Sequence, residues 1–437
     1  MFEPDQLIFR LEPALQALLA RAAELAATVD ASLWLVGGVV RDLLLELPIG
    51  RDIDLAVEGD VNQLASLLAT AWSGNITARH PSFGTATIEV EQWIIDLAQT
   101  RTESYPRPAI LPVVQPAPLA FDLYRRDYSI NAMAIRLTAE NGRLLPMPVF
   151  DPIGGVADLA ARRLRLLHEH SLRDDPTRML RGARLAARLA LTPDPATAEQ
   201  ISAALTAGYL GLLTPERIQT ELCLTLTEPD PAAVVALADQ WGITRQIIAG
   251  LHWTPALAER LSRYRRDEFA IAGLVPAELV LAGLMLYDLS DSALVEFQQR
   301  YHLANPVRRL IDDLIRLRTL LPAITAAMRP SQIDTLLHEY SAAAIAVLHY
   351  ATTSPIPEVT ARYLREWRSL RPLLNGDDLR GLGVAPGPHI GRLLRDLRAA
   401  TLDGIVSDRA TAEQWVRQQL TGALAPDRTD PAALKRR

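Results

Sequence analysis

Lysine is all but missing from this 437-residue chain: Lys435 is the only one, so nearly every cation is arginine. Cysteine is as scarce. The single Cys223 excludes an internal disulfide and a cysteine-rich metal cluster, fits a reducing cytoplasm, and reads as a small core residue. No segment approaches the ~20 uninterrupted apolar residues of a membrane-spanning helix. The apolar runs around 12–26 and 278–286 are broken by charges or are too brief. The N-terminus, MFEPDQLIFRLEP, lacks a positive-then-apolar signal pattern. The eight histidines are scattered, with no metal-ligand spacing among them, and no repeat recurs at a fixed period.

What is present is globular: 49% hydrophobic and 22% charged residues, which excludes a mostly disordered chain. The net charge of −6 is uneven. The stretch 122–188 holds twelve Arg against eight acids, +4, leaving −10 elsewhere. Arginine is a planar fork of donors suited to phosphates and base edges. The first ~100 residues read as a small mixed α/β unit: an amphipathic helix over 4–29, a strand LWLVGG ending at Gly37-Gly38, a helix VVRDLLLEL, a strand over 51–57, a helix over 61–72, and a hairpin of 84–90 with 92–99. The proline-rich stretch from Pro106 to Pro118 reads as a loop. After about residue 155 strand signals stop. Leu/Ala-rich helices follow to about 420, broken at 192–195, 228–231, 304–306, 329–330, 354–357 and 384–388, and the end, APDRTDPAALKRR, reads as a frayed tail.

The chemistry centres on Asp52-Ile53-Asp54. On a strand, residues i and i+2 share a face, so two carboxylates project together while Ile53 turns to the core. Like charges this close repel, and a hard divalent cation relieves them; Mg²⁺ takes one or two protein carboxylates plus phosphate oxygens. The plainer alternative is a solvent-facing acid pair. Gly37-Gly38 sits where a strand meets a helix, a place where backbone N–H groups can cradle phosphate. Asp96, in an apolar strand, is either a third ligand or a buried structural acid; Glu89 and Glu91, at a hairpin end, are less apt.

LVGGVVRDLLLELPIGRDIDLAVEG (35–59) resembles the signature of the tRNA nucleotidyltransferase/poly(A) polymerase branch of the nucleotidyltransferases: Gly-Gly, Arg-Asp three residues later, then Asp-x-Asp. RRDYSINAMA (125–134), DPIGGVADLAARRLR (151–165), DDPTRMLRGARLAARL (174–189) and PERIQTEL (215–222) match the motifs that follow, in order. Segments 372–394 and 402–416 are similar to the C-terminal region of bacterial CCA-adding enzymes, so the resemblance covers nearly the whole chain. No His-Asp dipeptide occurs, hence no appended metal-phosphohydrolase domain is expected.

The resemblance implies an α+β protein: a nucleotidyltransferase head over 1–150, a helical neck with the nucleobase-recognition helix over 151–225, a helical body over 226–330 and a helical, tRNA-binding tail over 331–437. It implies Asp52 and Asp54 as Mg²⁺ ligands and catalytic acids, with Asp96 beside them. Gly38, Arg41 and Arg126 would meet the nucleotide's phosphates, with Gly37 and Asp42 also among the nucleotide-binding residues. Asp127 and Asn131 would read its ribose. Asp175 and Arg178, three apart on one helix face, would read the edge of C or A, with Arg181, Arg184 and, more remotely, Arg188 continuing the row. A solvated, salt-bridged helix face is the competing reading of that row. Arg101 and Glu103 resemble the family's flexible loop, tied in relatives to the change from C to A addition.

The expected reaction is template-independent transfer from CTP or ATP to a tRNA 3′ end, as CCA, CC-only or A-only addition, in the cytoplasm and away from membranes, with a homodimer as one open assembly. Three rivals remain: a poly(A) polymerase, a catalytically idle RNA-binding protein, and a nucleotidyltransferase acting on a protein or an antibiotic.

Overall fold

Pro13 divides the N-terminal helix that the sequence suggests. In the computed structural model, which describes residues 4–423, Pro4–Arg10 is a 3₁₀ turn and α1 begins only at Pro13–Thr28. Glu12, forced out of the helical region by the ring that follows it, is extended at φ −57°, ψ 140°. Beyond it come β1 (Ser32–Val36), α2 (Gly38–Leu44), β2 (Asp52–Glu58), α3 (Val61–Trp72), β3 (Asn75–His80), β4 (Thr85–Val90) and β5 (Trp93–Gln99). The polar edge strand β3 has no counterpart in the sequence reading; the rest of this series does.

The 100–118 stretch is not simply a loop. Arg101–Ser104 (β6) pairs antiparallel with Val113–Pro116 (β7), Arg101 opposite Pro116. Proline is tolerated in such a ribbon because its missing N–H can face outward. Then follow α4 (Leu119–Tyr124), β8 (Ala134–Leu137), a tight hairpin of β9 (Ala139–Glu140) and β10 (Arg143–Leu144), and β11 (Val149–Phe150). A seven-stranded sheet runs β11-β8-β1-β2-β5-β4-β3. Its central pair, β2 with β5, is parallel, while its other pairings are antiparallel. Ile53, Leu55, Ile95 and Leu97 are at most 1% exposed, so this pair is anchored through the core.

Helices take over after α5 (Gly155–Ala160), although Arg163–Leu164 (β12) and Thr192–Pro193 (β13) still form a short parallel pair. Between them lie α6 (Ser171–Asp174) and α7 (Thr177–Leu189); α8 (Pro195–Thr206), α9 (Pro215–Leu226), α10 (Pro231–Gln240) and α11 (Thr244–Ile247) follow. The chain divides into two compact units, Met1–Ala249 and Gly250–Arg437. The described part of the second is helical, from Pro255–Arg266 to Arg409–Ala423, and buries Val280, Leu284, Leu310, Leu314 and Leu348 completely. Helices start at Pro195, Pro231, Asn305, Pro330, Ile356 and Pro388, one at each expected break. The tail segment 425–437 lies outside the described residues. No helix among those described is long and apolar enough to cross a membrane. Cys223 is exposed on α9 and is not a core residue; the buried face of that helix carries Ile218, Glu221 and Thr225.

The sheet and helix α7 are joined at Tyr128. Its fully buried ring meets α7, and its hydroxyl donates to the Arg178 carbonyl at 2.7 Å. Gly182 permits this approach, since a Cβ there would fall 2.1 Å from the Tyr128 oxygen. Gly182→Ala is expected to cost ~1–3 kcal/mol through overpacking, and Tyr128→Phe ~0.5–1.5 kcal/mol by removing one buried hydrogen bond. In the double variant the absent hydroxyl relieves part of the clash, so urea unfolding should show a cost below the sum of the two.

Candidate active site

The parallel register of β2 and β5 sets Asp54 opposite Asp96 and Asp52 opposite Ile94. Side-chain alternation then brings Asp52, Asp54 and Asp96 to one face, away from the buried Ile53 and Ile95. Solvent reaches Asp54 through the mouth of a cavity of about 440 Å³, yet the protein around it strips much of its hydration. That burial raises its pKa; Arg126 draws it back, and Asp96 and Asp52 push it further up. Asp96 Oδ1 accepts a 2.5 Å hydrogen bond from Thr87 on β4. Among the described residues, no three His, Cys, Asp or Glu side chains converge to hold a metal ion. A cation here would complete its shell with oxygens from a bound molecule or water, which is how Mg²⁺ is usually held.

Above the acids the chain turns sharply. Gly37 adopts φ 75°, and α2 starts at Gly38. A Cβ on Gly37 would stand 3.2 Å from an Arg126 nitrogen and 3.6 Å from Asp54 Oδ2, so this glycine keeps the backbone open to the cavity. Arg41 is 4% exposed and is engaged within the protein: it grips Asp42 through Nε and Nη2, and Nη1 donates to Asn131 Oδ1 at 2.7 Å.

Arg126 is aimed by an acid the sequence reading missed. α4 buries Leu119 and Leu123 against Val36, Ala56 and Ala134, and this seats Asp122 in the interior. Asp122 Oδ1 receives Arg125, and Oδ2 receives Arg126 at 3.1 Å. Arg125 also reaches Glu103 on β6 at 2.9 Å, and Glu103 in turn accepts from Arg101 and from the Tyr105 hydroxyl. The only sequence signal for Asp122 is its spacing, three and four residues before the paired arginines on a helix.

Asp127 and Asn131 are bonded to each other at 3.2 Å, and Asp127 forms an ion pair with Arg181 at 2.9 Å. Burial pushes the Asp127 pKa up, but Arg181, Arg178 and the Tyr128 N–H outweigh it and hold this carboxylate below its ordinary range. Asp175 and Arg178 do not share a helix face. Pro176 starts the α7 helix at Thr177, leaving Asp175 extended before it, and both residues still line the cavity. Arg178 is 5% exposed and donates to Ser171 Oγ and the Arg125 carbonyl. Asp175 Oδ1 takes Thr177 N–H, the Thr177 hydroxyl and Arg217. The later arginines of α7 are bridged to acids: the largely buried Arg184 to Glu221 at 3.0 Å, and Arg188, still exposed as a salt-bridged surface residue would be, to Glu228.

A cleft of this size, with acids on one wall and arginines on the other, fits a phosphorylated small molecule with a cation. The chain is similar to several known proteins. Residues 33–165 match the poly A polymerase head domain family. An A-adding tRNA nucleotidyltransferase of Halalkalibacterium halodurans is 33% identical over 413 residues, 92% of each chain. A CC-adding tRNA nucleotidyltransferase of Deinococcus radiodurans is 34% identical over 379 residues, 86% of each. The solved structure of a CCA-adding enzyme in an apo form superposes with a TM-score of 0.79 at 27% identity, over 94% of this chain and 97% of that one.

Because Asp54 has a raised pKa, the folded state binds its proton more tightly than the unfolded state, and ionisation destabilises the fold above that pKa. Asp54→Asn should therefore unfold at higher urea than the parent at pH 7, with the gain shrinking as pH falls through the raised Asp54 pKa. Urea titrations across pH 4–8 check this.

Proposed function

The chain belongs to the tRNA nucleotidyltransferase family, and on that premise we propose that it transfers CMP or AMP units from CTP or ATP to the 3′-hydroxyl of tRNA. The 3′-oxygen attacks the α-phosphorus, the bond to the bridging oxygen breaks, and pyrophosphate leaves. The observation that carries this reading is the convergence of Gly37, Gly38, Asp54, Asp96, Arg126, Asp175 and Arg178 on one cavity. Named relatives with A-adding and CC-adding activities cover the chain at nearly equal identity, and both belong to the same reaction class.

Asp52 and Asp54 are the residues that would hold Mg²⁺, an oxygen-only donor pair whose crowded charge favours a hard cation. Bound there, the ion supplies charge for the triphosphate and lowers the pKa of the attacking hydroxyl. Asp96 adds negative charge across the β2–β5 register and completes the acidic wall. Arg126, steadied by Asp122, offers its fork to the phosphates beside the open Gly37–Gly38 backbone. Asp127, Asn131, Arg41 and Asp42 form a bonded frame behind that turn, with Arg181 joined to it. Arg184 extends it towards α9.

For base reading, the useful fact is asymmetry at Asp175. Three donors crowd Oδ1, and among the described residues no hydrogen bond falls on Oδ2. An exocyclic amine is common to cytosine and adenine, and Oδ2 is the acceptor for it, with Arg178 as the neighbouring donor. The helical unit from Gly250 onward would hold the body of the tRNA.

The test is primer extension with Mg²⁺ on tRNAs ending at the discriminator base, at C and at CC, each with CTP, ATP or both. Extension of at least one end is expected; which ends are extended defines CCA, CC-only or A-only addition, and no extension by folded protein overturns the reading. Asp52→Ala/Asp54→Ala should lower the rate by about three decades, since such ions contribute several kcal/mol and each decade is about 1.4 kcal/mol.

A further inference from the structure

We infer that Arg217 is a positioning residue that ties the 105–112 segment to the Asp175 carboxylate and thereby sets discrimination between CTP and ATP. The inference rests on the nucleotidyl-transfer reading above for its link to nucleotide choice, though the tether itself does not.

The segment between β6 and β7 borders the cavity through Tyr105, Ile110, Leu111 and Pro112. Most of it is surface, with Leu111 70% exposed, but its middle is held in place. Ala109 is 8% exposed and sits at φ 62°, a backbone state an alanine rarely takes unless its surroundings enforce it. The enforcement is visible on both sides of that residue. The Ala109 N–H donates to the Arg173 carbonyl at 3.1 Å, and the Ala109 carbonyl accepts from Arg217 Nη1 at 3.0 Å.

The other arm of the same guanidinium, Nη2, lies 2.6 Å from Asp175 Oδ1. One planar group in the first turn of α9 thus fixes the segment with one nitrogen and the rotation of the carboxylate with another. With Oδ1 saturated, Oδ2 is the oxygen left to accept from a base. Cytosine and adenine carry their amines at different distances from the sugar, so any change of base needs the Asp175 oxygen or the cavity wall to move. Arg217 makes the two move together. A lysine, a single point donor, could hold one partner but not both in this geometry. Arg217 is about a quarter exposed, so the ion pair itself contributes little to global stability.

The experiment uses the full chain with Arg217→Gln, Arg217→Lys and Ala109→Gly. The first readout is limited proteolysis of the 105–112 segment; Arg217→Gln should speed cleavage about fivefold, as expected when local opening loses about 1 kcal/mol. The second is the ratio of kcat/KM for CTP and ATP on whichever tRNA end the parent enzyme extends. Arg217→Gln and Arg217→Lys should shift that ratio by about tenfold. Ala109→Gly, which relaxes the left-handed residue without touching Arg217, should shift it the same way by less. Equal loss for both nucleotides with an unchanged ratio would reduce Arg217 to a brace and overturn the inference, as would unchanged proteolysis. A parent enzyme that extends no tRNA, with cleavage still accelerated in Arg217→Gln, would sink the enzymatic reading and with it the nucleotide-choice claim, leaving only the tether.

Discussion

Repulsion among the carboxylates of Asp52, Asp54 and Asp96 is the constraint around which the head is built. They are forced together by the parallel pairing of β2 with β5, whose inward residues are almost completely buried and cannot slip register without exposing Ile53 and Ile95. Burial raises the Asp54 pKa first, and the neighbouring charges of Asp96 and Asp52 add to the rise. Arg126 and, more weakly, Arg181 oppose it within the protein, and Arg126 is held from behind by Asp122. The acid wall is therefore short of positive charge by design of the fold, which is the condition under which a divalent cation and an anionic nucleotide enter together.

The second half of the cleft is organised by arginines whose positions are set inside the protein before any substrate arrives. Arg178 is clamped to Ser171 and the Arg125 carbonyl, Arg181 to Asp127, Arg184 to Glu221. Pre-positioned forks suit a template-free enzyme, because the protein itself must supply the rigid edge that a nucleic-acid template would otherwise provide. Tyr128 carries that rigidity across to α7, using the space opened by Gly182.

Much of this was legible in the sequence because it depends on local periodicity. The alternation in Asp52-Ile53-Asp54, the Gly37-Gly38 turn and the prolines and asparagine that open later helices are all short-range signals, and the strand carrying Asp96 was equally plain. What the sequence could not carry was register and partner: that Asp96 falls opposite Asp54, that Arg184 finds Glu221, that Arg217 reaches both Asp175 and Ala109. These pairings join residues tens to more than a hundred positions apart. Local signals also misled in particular places. The prolines of 106–118 concealed the β6–β7 ribbon, because an edge strand tolerates what a central one does not. Pro176 broke the face on which Asp175 and Arg178 were expected together. Asp122 escaped notice because a single acid in an apolar helix is usually a surface residue.

The most direct test of the central claim is the number of protons released when Mg²⁺ binds to the protein with CTP or ATP present. It is read by titration calorimetry in two buffers of different ionisation enthalpy at mildly acidic pH. If the crowded acids hold the ion, binding displaces the proton that Asp54 retains above the ordinary carboxylate range, the release grows as pH falls, and both release and affinity drop in Asp54→Asn. Equal proton release and equal affinity in the parent and in Asp54→Asn would contradict the account, because the ion would then be held without relieving the repulsion around which the head is arranged.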